Sequence, residues 1–374
     1  MNTDFDDAQI ALRASVRGFL DVHAPLSSVR ASLEQGRADR NVWKGLSALG
    51  ITGLLVPEDL GGSAATCVDA AAVGEACGRA LFVGPFVEAA IGAATLLQAA
   101  RRTAVTDMAL RDLAEGTATT VPALFDAGTR HAIDRTRSTA QDGFDATVFV
   151  TGSKSFVVHA AFADRFVVTA TDELGRLDVV LVEAADAADT VIVVDEPILD
   201  ATRPTSKVEF RSAPGVRLLV ADPALAVRTA LDRMMVATVN DSVGAAERVL
   251  ELTVDYANER MAFGQPIGSF QAIQHLAADM LRAVELARAA GYYAAWALDH
   301  LDGAAAHLAT LQAAAYANAE LPVVGESAIQ VFGGIGFTWE HDAHLFYKRL
   351  VAASALFGTA DDHLSALADI VLPE

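Results

Sequence analysis

The stretch that decides the fold is Arg260-Met-Ala-Phe-Gly-Gln-Pro-Ile-Gly-Ser-Phe-Gln271, which lies between two long runs of helical spacing. The spacing predicts a helix that ends near Arg260, a turn at the Gly and Pro positions, and a second helix that begins near Ser269. Such a connection can present a guanidinium, an amide side chain and free helix N–H groups to an anion. A plain helical hairpin would account for the same residues equally well.

Helical spacing continues on both sides of this stretch, but a middle zone follows a period of two. The predicted helices span 8–22, 31–49, 67–79, 86–100, 224–261, 270–301 and 303–328. The β-branched runs, typical of an antiparallel barrel or sandwich, span 147–151, 155–158, 165–169, 178–182 and 191–194. We therefore predict an α+β, mostly α protein with an N-terminal helical domain (1–120), a middle β domain (121–218) and a C-terminal helical bundle (223–374).

Composition and charge restrict the class of protein. Hydrophobic residues make up 52% of the 374 residues and charged residues 20%, which excludes a disordered chain. The net charge of −20 repels nucleic acid and anionic membrane surfaces, and every long apolar tract is interrupted, so neither kind of partner is expected. The acidic start lacks the pattern of a signal peptide, which favours the cytoplasm. Cys67 and Cys77 fit no metal or disulfide spacing and are expected to be buried thiols.

Three further segments are informative when they are taken together with the opening stretch, in their order along the chain. They are Gln330-Val-Phe-Gly-Gly-Ile-Gly-Phe337, Lys154-Ser-Phe156, and the loop Pro57-Glu-Asp-Leu-Gly-Gly62. Taken together over essentially the full chain, these segments resemble the acyl-CoA dehydrogenase family. The resemblance implies a middle β-barrel domain between an N-terminal helical domain and a C-terminal four-helix bundle.

The resemblance also implies an FAD cofactor held across a subunit interface, in a homo-oligomer or in a hetero-oligomer with a related dehydrogenase subunit. Arg260 and Gln271 would bind the flavin pyrophosphate of the partner subunit, which suits a guanidinium because it forms bidentate bonds with phosphate. The electron acceptor would be an electron-transferring flavoprotein. The positions assigned to cofactor binding are Arg260, Phe263, Gln271, Gln330, Gly333, Gly334, Thr359, Phe156 and Val158.

The family's chemistry needs a carboxylate that removes the α-proton of an acyl-CoA thioester while hydride leaves the β-carbon for the flavin, which yields the 2,3-enoyl-CoA. Many members carry a Glu immediately before a Gly-Thr step, and that position here is Phe357. Other members carry the Glu 26 residues before the Arg of the flavin motif, and that position here is Met234. Neither side chain can accept a proton.

Asp241 is the carboxylate that shares a helix face with the second of these positions. It lies seven residues after Met234, which returns it to within roughly 20° of the same helix face. Glu247 points to roughly the opposite side, and Asp232 points about 160° away. Two interpretations stay open for Asp241, a catalytic base in an apolar stretch or a helix residue paired with an Arg of a neighbouring element. Some steroid-degrading family members use a carboxylate in this region, which favours Asp241 as base.

The β zone departs from the family pattern. The usual Thr-Glu-Pro and Gly-Ser-Asp segments are replaced by Val121-Pro-Ala-Leu-Phe-Asp-Ala-Gly128, and the usual Thr-Asn pair by Val158-His159. Each lost hydroxyl removes a hydrogen bond worth about 1 kcal/mol. We interpret His159 as a structural or solvent-facing residue. His341 and His344 lack a third ligand cluster, so no metal site is expected.

Two functions remain open. The first is a flavin-dependent acyl-CoA dehydrogenase with Asp241 as base. The alternative is a catalytically weak or silent subunit that supports a catalytic partner in a heteromer. The segment 339–349 resembles the ending of actinobacterial members that act on steroid or other bulky acyl-CoA esters, several of which have two kinds of subunit.

Overall fold

A computed structural model describes residues 5–35, 38–128, 135–184 and 189–372. The helices are α1 Asp7–His23, α2 Leu26–Gln35, α3 Arg40–Ala48, α4 Cys67–Arg79, α5 Ala94–Ala99, α6 Ala104–Glu115, α7 Pro223–Glu259, α8 Gln271–His300, α9 Gly303–Phe332, α10 Ala343–Leu356 and α11 Ala360–Val371. The mostly helical α+β organisation, with a strand-rich region in the middle of the chain, is confirmed. Among these helices none is both long and apolar enough to cross a membrane.

The helices differ from the predicted ones at three places in the first third of the chain. The run 31–49 is divided into α2 and α3, because Asp39 accepts a hydrogen bond from Asn41 and starts a new helix. The run 86–100 begins as a π-helix, Phe86–Ala93, and continues as α5. The sequence prediction missed α6, although a capping box at Thr103 marks its start.

The middle of the chain forms one sheet that closes on itself. Its strands are β1 Thr120–Ala123, β2 Thr139–Asp142, β3 Thr147–Val158, β4 Arg165–Thr171, β5 Leu177–Glu183, β6 Val191–Glu196 and β7 Thr205–Arg217. The strand order is β1-β4-β2-β3-β7-β5, with β5 paired back to β4 and β6 paired to β7. The pairs of β4 with β1 and with β2 are parallel, so the prediction of an antiparallel sheet holds only for the others. The alternating positions fill a core of Val, Ala and Phe.

The chain folds as two compact units. The helical unit contains the described residues up to Ala31, Cys67–Phe82 and Met235 onward. The sheet unit contains Ser32–Thr66 and Val83–Met234. The predicted division into three domains at 120 and 218–223 stays a prediction.

Within the helical unit, α4 and α7 cross with almost no side chains between them. A Cβ on Gly78 would lie 1.7 Å from the carbonyl oxygen of Asp241, and one on Gly74 would lie 3.0 Å from that of Ala237. On the other helix, a Cβ on Gly244 would lie 1.9 Å from the carbonyl oxygen of Glu75. Gly74 and Gly78 are four residues apart and therefore lie on the same face of α4. At these two positions no side chain separates α4 from α7. Both cysteines lie in α4 and are buried, as predicted.

The substitution Gly78→Ala should destabilise the protein strongly. The added methyl group meets a backbone oxygen that cannot move alone, so we expect a loss of about 3 kcal/mol and a lower thermal unfolding midpoint. The matched control is Gly18→Ala in α1, where nothing lies within 4 Å of the added carbon. That variant should keep or gain about 0.5–1 kcal/mol, because alanine favours the helix. Equal midpoints for the two variants would contradict the close helix crossing.

Candidate functional site

Asp241 lies on α7 and is held by Arg349 of α10 in a buried two-point ion pair. The Arg349 Nε donates to Asp241 Oδ1 at 3.0 Å and Nη2 donates to Oδ2 at 2.8 Å. The two side chains are 2% and 3% exposed. Arg349 Nη2 also lies 3.4 Å from the carbonyl oxygen of Phe82, which follows α4. One guanidinium therefore links α7, α10 and the end of α4.

This geometry bears on the two interpretations of Asp241. In the structure Asp241 pairs with Arg349 of a neighbouring helix, and both oxygens of its carboxylate accept hydrogen bonds. A general base must approach the proton that it removes to within hydrogen-bonding distance. In the observed arrangement both oxygens of Asp241 are bonded to Arg349 and the side chain is 2% exposed, which limits the approach of a substrate. The assignment of Asp241 as base stays a prediction, and the geometry favours the structural interpretation.

The other positions considered for a base offer no free carboxylate. Met234 is buried in the sheet unit, and its Sδ lies only 2.5 Å from where a Cβ on Gly92 would be. Phe357 is half-buried and follows α10. Glu247, in the helical unit, is bound by three arginines, at 2.7 Å, 3.1 Å and 2.7 Å, namely Arg17, Arg79 and Arg288.

The stretch that opened the sequence argument forms a tight hairpin between α7 and α8. Met261–Ala262 pairs with Gln265–Pro266, and the two central residues, Phe263 and Gly264, have φ of 52° and 83°. A turn with both central residues in the left-handed region is the type I′ turn of a two-residue hairpin. The turn projects the Phe263 ring outward, 96% exposed, with its edge toward Phe270 at 6.2 Å.

The polar residues that flank this hairpin are available for a ligand. Arg260 and Gln271 are exposed, and within the described part of the chain neither side chain has a hydrogen-bond or ion-pair partner. Phe270, at the N-cap of α8, supplies no side-chain cap, so the first N–H groups of α8 remain open to an acceptor. A guanidinium, an amide and an uncapped helix N-terminus are suitable groups for binding phosphate.

The end of α9 lies next to this connection. Tyr256, one turn before Arg260, packs its ring 4.9 Å from the ring of Phe332, between Gln330 and Gly333. A Cβ on Gly333 or Gly334 would meet nothing within 4 Å, so the backbone there is open to close approach. The sequence prediction of these positions did not include Tyr256, the residue that brings the two segments together.

Thr359 has a structural role that the sequence prediction did not include. It is the N-cap of α11, where its hydroxyl donates to Asp362 at 2.7 Å and accepts from the Asp362 N–H. Asn318 donates to the carbonyl oxygen of Gly358 at 3.0 Å and fixes the preceding residue. A cofactor contact by this hydroxyl would share it with the helix cap.

In the sheet unit, Lys154 is fully buried and pairs with Asp126. Its Nζ lies 2.7 Å from Asp126 Oδ1, 3.1 Å from Thr169 Oγ1 and 3.3 Å from the carbonyl oxygen of Leu124. Burial lowers the pKa of Lys154 to about 8, although Asp126 opposes this shift. Burial alone would raise the pKa of Asp126, but Lys154 and the donors of Arg137 and Ser138 hold it below its usual value. The sequence indicated Lys154 but not its partners.

The two sheet positions assigned to the flavin differ in character. Phe156 is 62% exposed with φ of 55°, whereas Val158 is 6% exposed and carries no hydroxyl. His159 is buried, with φ of 55°, and precedes a short 3-10 helix. The exposed aromatic ring of Phe156 is thus the feature of this strand that a planar ligand can contact.

The fold and these positions together define an acyl-CoA dehydrogenase-like protein. Residues 6–117 match the family model described as acyl-CoA dehydrogenase, N-terminal domain, and residues 225–372 match acyl-CoA dehydrogenase, C-terminal domain. The chain is 31% identical, over 95% of each sequence, to "Acyl-CoA dehydrogenase IpdE2" of Mycobacterium tuberculosis. The chain belongs to the acyl-CoA dehydrogenase family, and as such it is an oxidoreductase.

Solved structures agree on the fold. The ChsE4–ChsE5 complex from Mycobacterium tuberculosis superposes with a TM-score of 0.89 at 24% identity over all of both chains. A variant of the Tcur3481–Tcur3483 steroid ACAD gives 0.87 at 24% identity over 98% of both chains. An FAD complex of PigA gives 0.86 at 22% identity over 98% of both chains.

FAD is the cofactor of this family, and the residues present fit it in part. The guanidinium of Arg260, which has no side-chain partner among the described residues, the amide of Gln271 and the open backbone at Gly333 and Gly334 suit a pyrophosphate and a nucleoside. The sheet positions offer an aromatic ring but no hydroxyl at Val158. We therefore expect binding to depend mainly on the phosphate end of the cofactor.

Alkaline pH should stabilise the wild type relative to Lys154→Met. Because the pKa of Lys154 is about 8 in the folded protein and 10.5 in the unfolded chain, the unfolded chain binds more protons between these values. The free energy of unfolding contributed by Lys154 therefore rises with pH in this window. Denaturant unfolding at pH 7.5 and at pH 10 should show the wild type gaining about 1–3 kcal/mol relative to the variant. A pH-independent difference would show that Lys154 keeps its ordinary pKa.

Proposed function

We propose that this chain takes part in the FAD-dependent α,β-dehydrogenation of an acyl-CoA thioester as a cofactor-holding subunit. A related dehydrogenase subunit would supply the carboxylate that removes the α-proton. The chain would thus form half of a heteromer, as the alternative drawn from the sequence suggests. The product of the shared site would be the 2,3-enoyl-CoA, and an electron-transferring flavoprotein would be the acceptor.

One observation carries this proposal, which is that Arg349 engages both oxygens of the Asp241 carboxylate in a buried pair. Phe357 and Met234 occupy the two positions where relatives carry a Glu, and neither can take a proton. A proton-abstracting carboxylate must come within hydrogen-bonding distance of the proton that it removes. None of the three positions meets that requirement in the observed arrangement.

The cofactor-binding positions support the other half of the proposal. FAD, when bound, accepts the hydride that leaves the β-carbon of the thioester. Arg260 would hold the pyrophosphate by charge-assisted hydrogen bonds, together with Gln271 and the N-terminus of α8. Phe263 would cover the cofactor, and Gln330, Gly333 and Gly334 would line the adenosine. In a chain of net charge −20, these unpaired donors are the groups that can attract a dinucleotide.

The substrate class that we propose is a steroid or another bulky acyl-CoA ester. Support comes from the segment 339–349, which resembles the ending of actinobacterial members of this kind, and from the similarity in fold to a steroid ACAD. The similarity to the ChsE4–ChsE5 complex supports a partner of the same fold.

A second candidate function keeps Asp241 as the base, in a homo-oligomer. It is favoured by the placement of Asp241 on α7, within roughly 20° of the face that carries Met234. In this case the bonds from Arg349 would open when substrate binds, and the carboxylate would then meet the α-proton.

The first test is the visible absorption spectrum of the chain, expressed alone and together with a separately encoded relative. The proposal expects little flavin in the chain alone, and flavin absorbance in the co-expressed assembly that bleaches on anaerobic addition of a bulky acyl-CoA. A chain that binds flavin alone and bleaches without a partner would overturn the proposal.

Paired substitutions separate the two roles of Asp241. Asp241→Asn leaves a buried guanidinium without its partner, so the free energy of unfolding should fall by about 3–5 kcal/mol. Asp241→Asn combined with Arg349→Met removes both charges and should recover most of that loss. If Asp241 is structural, the double variant, assembled with its partner, should bleach within a few-fold of the wild-type rate.

If Asp241 is the base, the double variant should fold and bind flavin but bleach about 10²–10⁴-fold more slowly. Arg349→Met alone is the control for loss of the pair with the carboxylate retained. The rate of bleaching in a stopped-flow spectrometer distinguishes the two results, because protein stability is matched in the double variant.

A further inference from the structure

The strand that carries Phe156 contains an extra residue. In the ladder between β3 and β7, Lys154 pairs with Val208 and Val157 pairs with Ser206, so three steps on β3 face two steps on β7. This is a β-bulge, and bulges are common next to functional sites because they redirect a side chain.

The bulge reverses the direction of Phe156. Residues two apart in a regular strand point to the same face, so Phe156 would share the buried face of Lys154. Instead Lys154 is 0% exposed and Phe156 is 62% exposed. Phe156 also has φ of 55°, which is uncommon for an aromatic residue and persists only where the surroundings enforce it.

The buried Lys154–Asp126 pair lies beside the bulge, with Lys154 Nζ 2.7 Å from Asp126 Oδ1. Asp126 accepts from the Ser138 N–H at 3.0 Å, from Ser138 Oγ at 2.7 Å and from the Arg137 N–H, so its carboxylate is also fixed by the residues that precede β2. The Ser155 N–H donates to the carbonyl oxygen of Phe125 at 2.9 Å. The residues on both sides of the Lys154–Ser155 peptide are thus bound to one segment, 125–126.

We propose that the buried Lys154–Asp126 pair is a positioning device that holds the β3 bulge and so sets the outward position of the Phe156 ring against the flavin. This inference rests on the proposed function, because that function makes Phe156 a cofactor contact. Lys154 touches no cofactor in this scheme and acts through Phe156. The segment around Asp126 thereby substitutes for the hydroxyl-bearing segments that the family usually carries there.

A double-mutant cycle on FAD affinity tests the proposal. FAD is titrated into the apo-form of the assembly that binds it, and the dissociation constant is measured for wild type, Lys154→Met, Phe156→Ala and both together. If Lys154 acts through Phe156, we expect Lys154→Met to weaken binding about tenfold in the wild type and less than about twofold in the Phe156→Ala background. Equal effects in both backgrounds would overturn the proposal.

The matched control is Arg165→Met, which breaks another ion pair of the same sheet. Arg165 on β4 is 9% exposed and pairs with Asp112 and Glu183, both at 2.7 Å. Its effect on FAD affinity should be the same in the wild-type and Phe156→Ala backgrounds, as for a purely structural change. If Lys154→Met fails to fold, Lys154→Met with Asp126→Asn removes both charges and retains an acceptor for Ser138, and the cycle is run on that variant.

Hydrogen exchange of the apo-protein gives a readout that needs no flavin. Amides of 155–158 should exchange at least about tenfold faster in Lys154→Met than in the wild type, and Arg165→Met should leave them unchanged. Unchanged exchange in Lys154→Met would overturn the role of the pair in holding the bulge. If the wild-type assembly takes up no FAD, the proposed function fails, and the exchange comparison alone then decides the inference.

Discussion

The buried pair of Asp241 and Arg349 is the interaction on which the helical unit depends. Two charges removed from water cost several kcal/mol each unless the geometry of their contact compensates. Here it does so by two parallel hydrogen bonds, and the same guanidinium reaches the carbonyl oxygen of Phe82. The contact is possible because Gly74 and Gly78 let α4 lie directly against the α7 backbone at Asp241. Loss of Asp241 or of Arg349 would leave the other charge buried without its partner, where α7, α10 and the end of α4 meet.

The sheet unit also contains a buried ion pair, and we propose a different role for it. Lys154 and Asp126 are also buried and paired, and the carboxylate is again fixed by further donors. In both units the charged pair stands close in sequence to a position where the family pattern is broken, Met234 in one case and Val158 in the other. The chain thus retains polar residues in these regions but employs them in holding the backbone, because their hydrogen-bonding capacity is taken up within the protein.

The sequence predicted the parts of the fold that carry strong periodicity. The helices α1, α4, α7, α8 and α9 follow their predicted ranges closely, because long amphipathic spacing survives any tertiary context. Strand β7 was missed, because Pro214 and Gly215 interrupt its alternation and read as a turn. The partner of Asp241 could not be predicted, since Arg349 lies 108 residues away in the chain. The spacing of residues identifies a helix face, but only the folded structure shows which residues pack against that face.

The distribution of charged side chains supports the role that we propose for the chain. The guanidinium at the hairpin connection is available, since Arg260 has no partner within the described residues. The carboxylates of Asp241 and Glu247 are each bound by arginines. In the role that we propose, the chain supplies groups that bind the dinucleotide but not the carboxylate that accepts the proton. A related subunit that contributes such a carboxylate would complete the site, and selection on this chain would then act on cofactor binding and on assembly.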